Sequence, residues 1–258
     1  MDKEFAERVV KDAGELLLTI RGAGFTTGVK HGDWKDTVTS ADLEVNKFII
    51  ERIRAEYPED HVHSEEGGGD ADAARMWHVD PIDGSSNFAR AIPHFAICVG
   101  LVEGGVPTAG AIYNPVTREL FSFTRGGGAF VNGVQVKVSA VTDLRESYAL
   151  LTAGRKDDVR EWGGESYKKL LANIKKTKNL GSSALDICFV GAGRVEVLVY
   201  GTLTTKDIAP ALGFLYEAGG VATDEAGQPL AFSSEPQRVY AANNKTVLDS
   251  VRTLLQAP

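Results

Sequence analysis

Apolar side chains recur at helical spacing from the start of the chain. Phe5, Val9, Ala13, Leu16, Leu17 and Ile20 predict an amphipathic helix over residues 3–21. Thr39, followed three positions later by Asp42, has the form of a helix cap. The helix it opens carries Leu43, Phe48, Ile49 and Ile53 and stops at Tyr57-Pro58. The pattern then changes period. Residues 94–103 and 106–113, divided by Gly104-Gly105, read as a β-hairpin, followed by strands at 119–124 and 129–138. Farther on, helices over 166–176, 183–190 and 207–218 alternate with strands at 195–200, 221–223 and 238–242, and a helix over 245–255 closes the chain. This is an α/β (α+β) pattern without repeats or low-complexity stretches. It predicts one domain over 1–258, divisible near Thr142 into two lobes, 1–142 and 143–258.

A chain of 258 residues with 43% hydrophobic content can bury a sizeable core. The net charge of −7 argues against a nucleic-acid partner, because phosphate backbones are bound by clustered Lys and Arg. It does not argue against a small phosphorylated substrate, since bound cations would supply positive charge locally. Cys98 and Cys188 sit in apolar runs and read as small core residues rather than a disulfide. No basic-then-apolar leader and no long uncharged apolar span is evident, so the expectation is a cytoplasmic protein without a membrane partner. The five histidines are scattered without zinc-ligand spacing, and His78 and His94 read as structural.

Chemistry concentrates in the run from Trp77 to Phe88, which reads W-H-V-D-P-I-D-G-S-S-N-F. Asp80 ends an apolar, strand-like stretch, and Pro81 prevents a helix from crossing it. Both Asp80 and Asp83 can then face one point beyond the strand end. Carboxylate oxygens suit Mg²⁺, which usually completes its shell with water and phosphate. Gly84 allows close backbone approach, and Ser85 offers a hydroxyl. An Asx-rich turn closing a strand is the competing reading. Two further acidic segments weigh against it: Glu65-Glu66 beside Gly67-Gly68-Gly69, and Asp207 at an apparent helix start.

These residues resemble the inositol monophosphatase family, Mg²⁺-dependent and lithium-sensitive sugar phosphatases whose fold fructose-1,6-bisphosphatases share. The resemblance spans nearly the whole chain. It rests on Ser64-Glu65-Glu66, on the Trp77 to Phe88 run, on Arg125 to Gly133, and on Lys206 to Pro210 followed by Glu217-Ala218-Gly219-Gly220. It implies a layered α-β-α-β-α sandwich and a homodimer. It also implies a ligand set: Glu65 and the Ile82 carbonyl at a first ion, Asp80 bridging, and Asp83 with Asp207 at a second. Ser85 would orient the attacking water, backed by Asp42, so that Glu65, Ser85 and Asp42 form the activating set. Asn87 and Phe88 would open a helix whose N–H groups face the phosphate. Asp42 as a plain helix cap and Asp207 as a dipole-stabilising residue are the alternatives.

Substrate contacts are expected from Gly84, Ser85, Ser86, Ser183 and Tyr200. Tyr200 stands where inositol-selective members carry a glutamate, which weakens polyol recognition. Lys206 stands where a tryptophan is frequent, and the family's loop lysine falls near Lys30 or His31. The function this implies is Mg²⁺-dependent hydrolysis of a small phosphomonoester, inositol-1-phosphate first. Fructose-1,6-bisphosphate, histidinol phosphate and NADP or 3′-phosphonucleotides follow as alternatives. A regulatory binding protein without turnover is the reading from another class.

Overall fold

The computed structural model describes residues 1–67 and 73–256; Gly68 and Gly69, beside the acidic pair, lie outside the described residues, as does the side chain of His31. Helices α1 (Asp2–Ala23) and α2 (Ser40–Glu56) are joined through a small hairpin, β1 (Thr27–Val29) and β2 (Thr37–Thr39). Seven strands follow: β3 (His61–Ser64), β4 (Arg75–Asp83), β5 (Ala96–Glu103), β6 (Val106–Asn114), β7 (Glu119–Thr124), β8 (Gly128–Val131) and β9 (Val134–Val136). They pair in sequence order, the first two parallel and the rest antiparallel. A single helical turn, α3 (Ser85–Ala89), leaves the end of β4.

The second sheet contains β10 (Tyr148–Thr152), β11 (Lys176–Lys178), β12 (Val197–Leu203), β13 (Val221–Thr223) and β14 (Gln237–Ala242), in the order β11-β10-β12-β14-β13. Its helices are α4 (Asp157–Asn173), α5 (Ser183–Gly191), α6 (Ala209–Glu217) and α7 (Lys245–Gln256).

Three apolar cores stack these elements into five layers. Phe5, Leu17, Ile49 and Ile53 of α1 and α2 pack on Trp77 and Leu101 of the large sheet. The other face, through Phe121 and Phe123, meets Ile187, Leu212 and Phe214 of α5 and α6, which also cover Leu198 and Val239 of the small sheet. Leu170, Val247 and Val251 of α4 and α7 close the far side over Val197, Val199 and Tyr240. The layers therefore run α-β-α-β-α. Strand β12 shows why: its alternate residues enter different cores, so both faces must be apolar.

Several expected elements differ in detail. The helix expected over 166–176 begins at Asp157, and Lys176 belongs to β11. Gly163-Gly164 interrupts its apolar pattern; a Cβ on Gly163 would lie 2.2 Å from the Ala153 Cβ, so close packing requires the glycine. The strand expected over 129–138 is two strands, turned at Asn132-Gly133 with φ of 49° and 80°. That dipeptide is a strong hairpin signal. Leu43 is 56% exposed, because α2 packs through Ala41, Val45, Ile49 and Ile53 instead. Cys98 and Cys188 are buried free thiols. Among the described residues no helix is long and apolar enough to cross a membrane.

Candidate active site

Strand β4 delivers the two aspartates to one face by breaking its own register. Asp80 pairs with Cys98 and Asp83 with Ala96, three steps against two. Residues three apart on a regular strand point to opposite faces; the bulge absorbs one residue and returns Asp83 to the side of Asp80. Pro81 sits inside it, where no ladder N–H is required. Asp80 Oδ1 accepts from the Ile82 N–H at 3.0 Å. Gly84 then turns the chain with φ of 91°; a Cβ there would stand 3.1 Å from the His94 carbonyl oxygen and 3.3 Å from that of Gly181.

Both oxygens of Asp83 meet the start of α5. They accept from Ser182 Oγ, from Ser183 N–H at 3.1 Å and Oγ at 2.6 Å, and from Ala184 N–H at 2.9 Å. A carboxylate is favoured at that helix end, yet burial still raises its pKa above the ordinary value. Ser183 is thus engaged with Asp83. The Tyr200 hydroxyl is likewise occupied, donating to Asp186 at 3.0 Å, and Tyr200 is 5% exposed. Its proton is committed to Asp186, so toward the cavity the Tyr200 oxygen can only accept.

Glu65 follows β3, its N–H bonded to the Val79 carbonyl at 3.3 Å. Lys30 Nζ lies 2.7 Å from Glu65 and 2.5 Å from Glu66. Burial opposes the Lys30 charge, but the two glutamates outweigh it and raise its pKa. Asp207 lies in the turn before α6 rather than at its first residue, with Thr204 Oγ1 donating to Oδ2. His63 Nε2 is 3.8 Å from Oδ1.

Asp42 is both a cap and a partner of Ser85, one oxygen for each. Oδ2 accepts from Thr39 N–H at 2.7 Å and Thr39 Oγ1 at 2.6 Å, while Oδ1 faces Ser85 Oγ at 2.7 Å. Ser85 Oγ is also 2.9 Å from the Ile82 carbonyl, so its one proton has two possible acceptors. Burial raises the Asp42 pKa, with the Thr39 and Ser85 bonds pulling it back. Helix α3 opens at Ser85, ahead of the expected Asn87 and Phe88. The Phe88 N–H is already bonded to the Gly84 carbonyl at 3.0 Å, and the Asn87 side chain is tied to the loop before α5.

Glu65, Asp80, Ile82, Asp83, Gly84, Ser85, Ser86, Ser183, Tyr200 and Asp207 all line one cavity of about 350 Å³. Asp42 stands behind it. Burial first, then repulsion from Glu65 and Asp83, raises the Asp80 pKa well above the carboxylate range. Among the described residues no three His, Cys, Asp or Glu side chains form a closed ligand cluster as they stand. The donor set still fits a hard divalent cation: it is all oxygen, gathered around one cavity and mutually repelling. The opposite rim was not visible in the sequence. There Lys35 Nζ reaches Asp157 at 2.6 Å and the Arg155 carbonyl at 2.9 Å, and Arg155 pairs with Asp36. Those pairs join segments far apart in the chain and leave no local pattern.

The model of the "Inositol monophosphatase family" matches residues 2–257. The chain belongs to this family. The inositol monophosphatase family comprises phosphatases of sugar phosphates, generally metal-dependent, so the chain is a phosphoric monoester hydrolase whose substrate is a small phosphorylated molecule. It is 33% identical over 232 residues to a fructose-1,6-bisphosphatase/inositol-1-monophosphatase of Thermotoga maritima, covering 88% of this chain and 87% of that protein. Inositol monophosphatase 1 of Solanum lycopersicum is 33% identical, over 90% of this chain and 87% of its own length. The crystal structure of the extragenic suppressor protein suhB from Bartonella henselae superposes with a TM-score of 0.90 at 27% identity, covering 98% of this chain and 97% of the other.

Proposed function

We propose that the protein is a Mg²⁺-dependent phosphatase of small sugar or polyol phosphates, with inositol-1-phosphate the first candidate. The observation that carries this reading is the gathering of Glu65, Asp80, Asp83 and Asp207 around one cavity, with Ser85 aimed by a buried Asp42. Glu65 and the Ile82 carbonyl would hold one cation, Asp83 and Asp207 a second, with Asp80 between them. Bound Mg²⁺ supplies Lewis acidity toward the phosphoryl oxygens and a lowered pKa for bound water.

The chain's own residues do the rest. Ser85 donates its proton to Asp42 Oδ1 and thereby turns an Oγ lone pair to the cavity, where it accepts from the attacking water and fixes its line of approach. Glu65 flanks that position as a proton acceptor, steadied by Lys30. The amides of Ser85 and Ser86, at the first turn of α3, face the phosphate. Gly84 permits the close approach. Asn87 holds the loop before α5 in place through the Leu180 carbonyl at 2.9 Å.

The alternatives within the family are fructose-1,6-bisphosphate, as the name of the Thermotoga maritima relative supports, histidinol phosphate, and NADP or 3′-phosphonucleotides. The suppressor name of the Bartonella henselae protein supports a second reading, a regulatory binding protein without turnover. The deciding experiment measures phosphate release from inositol-1-phosphate, fructose-1,6-bisphosphate, histidinol phosphate, NADP and 3′-phosphoadenosine 5′-phosphate, with and without Mg²⁺. One dominant Mg²⁺-dependent substrate is expected, and silence across the panel favours the regulatory reading. A cytoplasmic, lithium-inhibited homodimer completes the proposal; sedimentation and a Li⁺ titration test the last two properties.

A further inference from the structure

Behind the cavity lies a buried carboxylate that the hydrolytic scheme does not use. Asp186, on α5, is 0% exposed. Its Oδ1 meets His94 Nε2 at 2.8 Å, and its Oδ2 accepts from the Tyr200 hydroxyl at 3.0 Å. The Gly181 amide also favours the ionised form, against a burial that disfavours it. Where Asp186 is ionised it only accepts, so the bond between it and His94 is then donated by His94 Nε2. These partners come from different places. His94 precedes β5 in the first half, Tyr200 is on β12 in the second, and Gly181 leads into α5. The same two loops are joined again by Asn87, whose amide donates to the His94 carbonyl at 2.7 Å and the Leu180 carbonyl at 2.9 Å. One turn of helix separates Asp186 from Ser182, Ser183 and Ala184, the residues that hold both oxygens of Asp83.

We infer that Asp186 is a positioning residue: by drawing His94 and Tyr200 onto α5 it locks the start of that helix beneath Asp83 and sets the angle at which Asp83 meets the cation. This rests on the reading of Asp83 as a metal ligand. A carboxylate buried at that depth is costly without partners. His94 and Tyr200 each tie α5 to a separate segment, so the cluster converts a burial penalty into a fixed geometry.

The test is a Mn²⁺ titration of the full chain without substrate, following free Mn²⁺ by electron paramagnetic resonance, alongside thermal melts and turnover. His94→Leu removes the donor and should weaken Mn²⁺ binding about tenfold, the low end of the range for losing a direct partner of a ligand, because His94 acts through α5. His94→Gln keeps an N–H donor and should recover most of that loss. At saturating metal, kcat should return toward the unsubstituted value while KM for substrate stays put. A folded His94→Leu protein with unchanged Mn²⁺ affinity overturns the inference. Should His94→Leu not fold, Tyr200→Phe decides: this loss of one oxygen should weaken Mn²⁺ several-fold, and no change is a refutation. If the unsubstituted protein itself neither binds Mn²⁺ nor releases phosphate, the metal reading falls and takes the inference with it. If it does both and the variants match it, the inference alone falls.

Discussion

Asp42→Asn separates two jobs that one carboxylate performs. Oδ2 caps α2 by accepting from Thr39 N–H and Oγ1, at 2.7 and 2.6 Å, and Oδ1 can accept a hydrogen bond from Ser85 Oγ at 2.7 Å. A carboxamide keeps one acceptor and gains a donor. With its oxygen toward Thr39, the cap survives with weaker, uncharged bonds. That change costs about 1–2 kcal/mol, partly offset because a buried charge is no longer needed. The expected fall in Tm is therefore only a few degrees, at roughly 2–4 °C per kcal/mol for a chain of this size. The new N–H₂ faces Ser85, whose proton must then swing to the Ile82 carbonyl, 2.9 Å away. The Ser85 lone pairs are reoriented, and kcat should fall about 10²–10³-fold, or ~3–4 kcal/mol in barrier. The assay is phosphate release at saturating Mg²⁺ with parallel melts. Because the two residues act as a unit, adding Ser85→Ala should cost little beyond the worse single change. Wild-type turnover in Asp42→Asn, or strictly additive losses in the double variant, would refute the reasoning.

Asp83→Asn should abolish most turnover and raise the Mg²⁺ requirement; unchanged rate and metal demand would show that Asp83 is not a ligand. Gly84→Ala forces a side chain into a left-handed turn against two carbonyls, so a loss of about 1–3 kcal/mol is expected in denaturant melts, with activity falling in parallel. Asp42, Asp80, Asp83 and Asp186 all have raised pKa values. The metal-free folded protein therefore binds more protons than the unfolded chain between the ordinary value of 3.8 and the raised ones. Its stability should decline as pH climbs through that window. Mg²⁺ should raise Tm more at the upper end of the window than near pH 5, and the opposite ordering would count against the coupled carboxylates.

Local signals survived into the structure best. The N-terminal helix, the Thr39–Asp42 cap and the hairpin at Gly104-Gly105 appear as expected, because each depends on neighbours in sequence. The acidic residues were legible through their motifs, and Asp42's two alternatives proved compatible. What failed depended on packing. Leu43 fits a helical stripe but lies beyond its edge, and α4 starts early because Gly163 serves a contact with Ala153 that spacing cannot reveal. The partners of Asp186, Lys35 and Arg155 were invisible for the same reason: each bond spans a distance the chain closes only by folding. Tyr200 does line the cavity, but the bond of its hydroxyl to Asp186 on the far side is again a contact that only folding makes.

The irregular pairing around Pro81 has a consequence for how this site responds to genetic change. It turns the Ile82 carbonyl toward Ser85 and the cavity, so one oxygen of the site belongs to the main chain. No codon change at position 82 removes that oxygen. Alanine scanning would score Ile82, whose side chain is 2% exposed, as a core residue and leave the proposed role of its carbonyl untested. The vulnerable points lie elsewhere: a substitution at Pro81 that lets the strand pair regularly, or a one-residue insertion beside it, would move the oxygen while leaving every acidic residue of the motif intact.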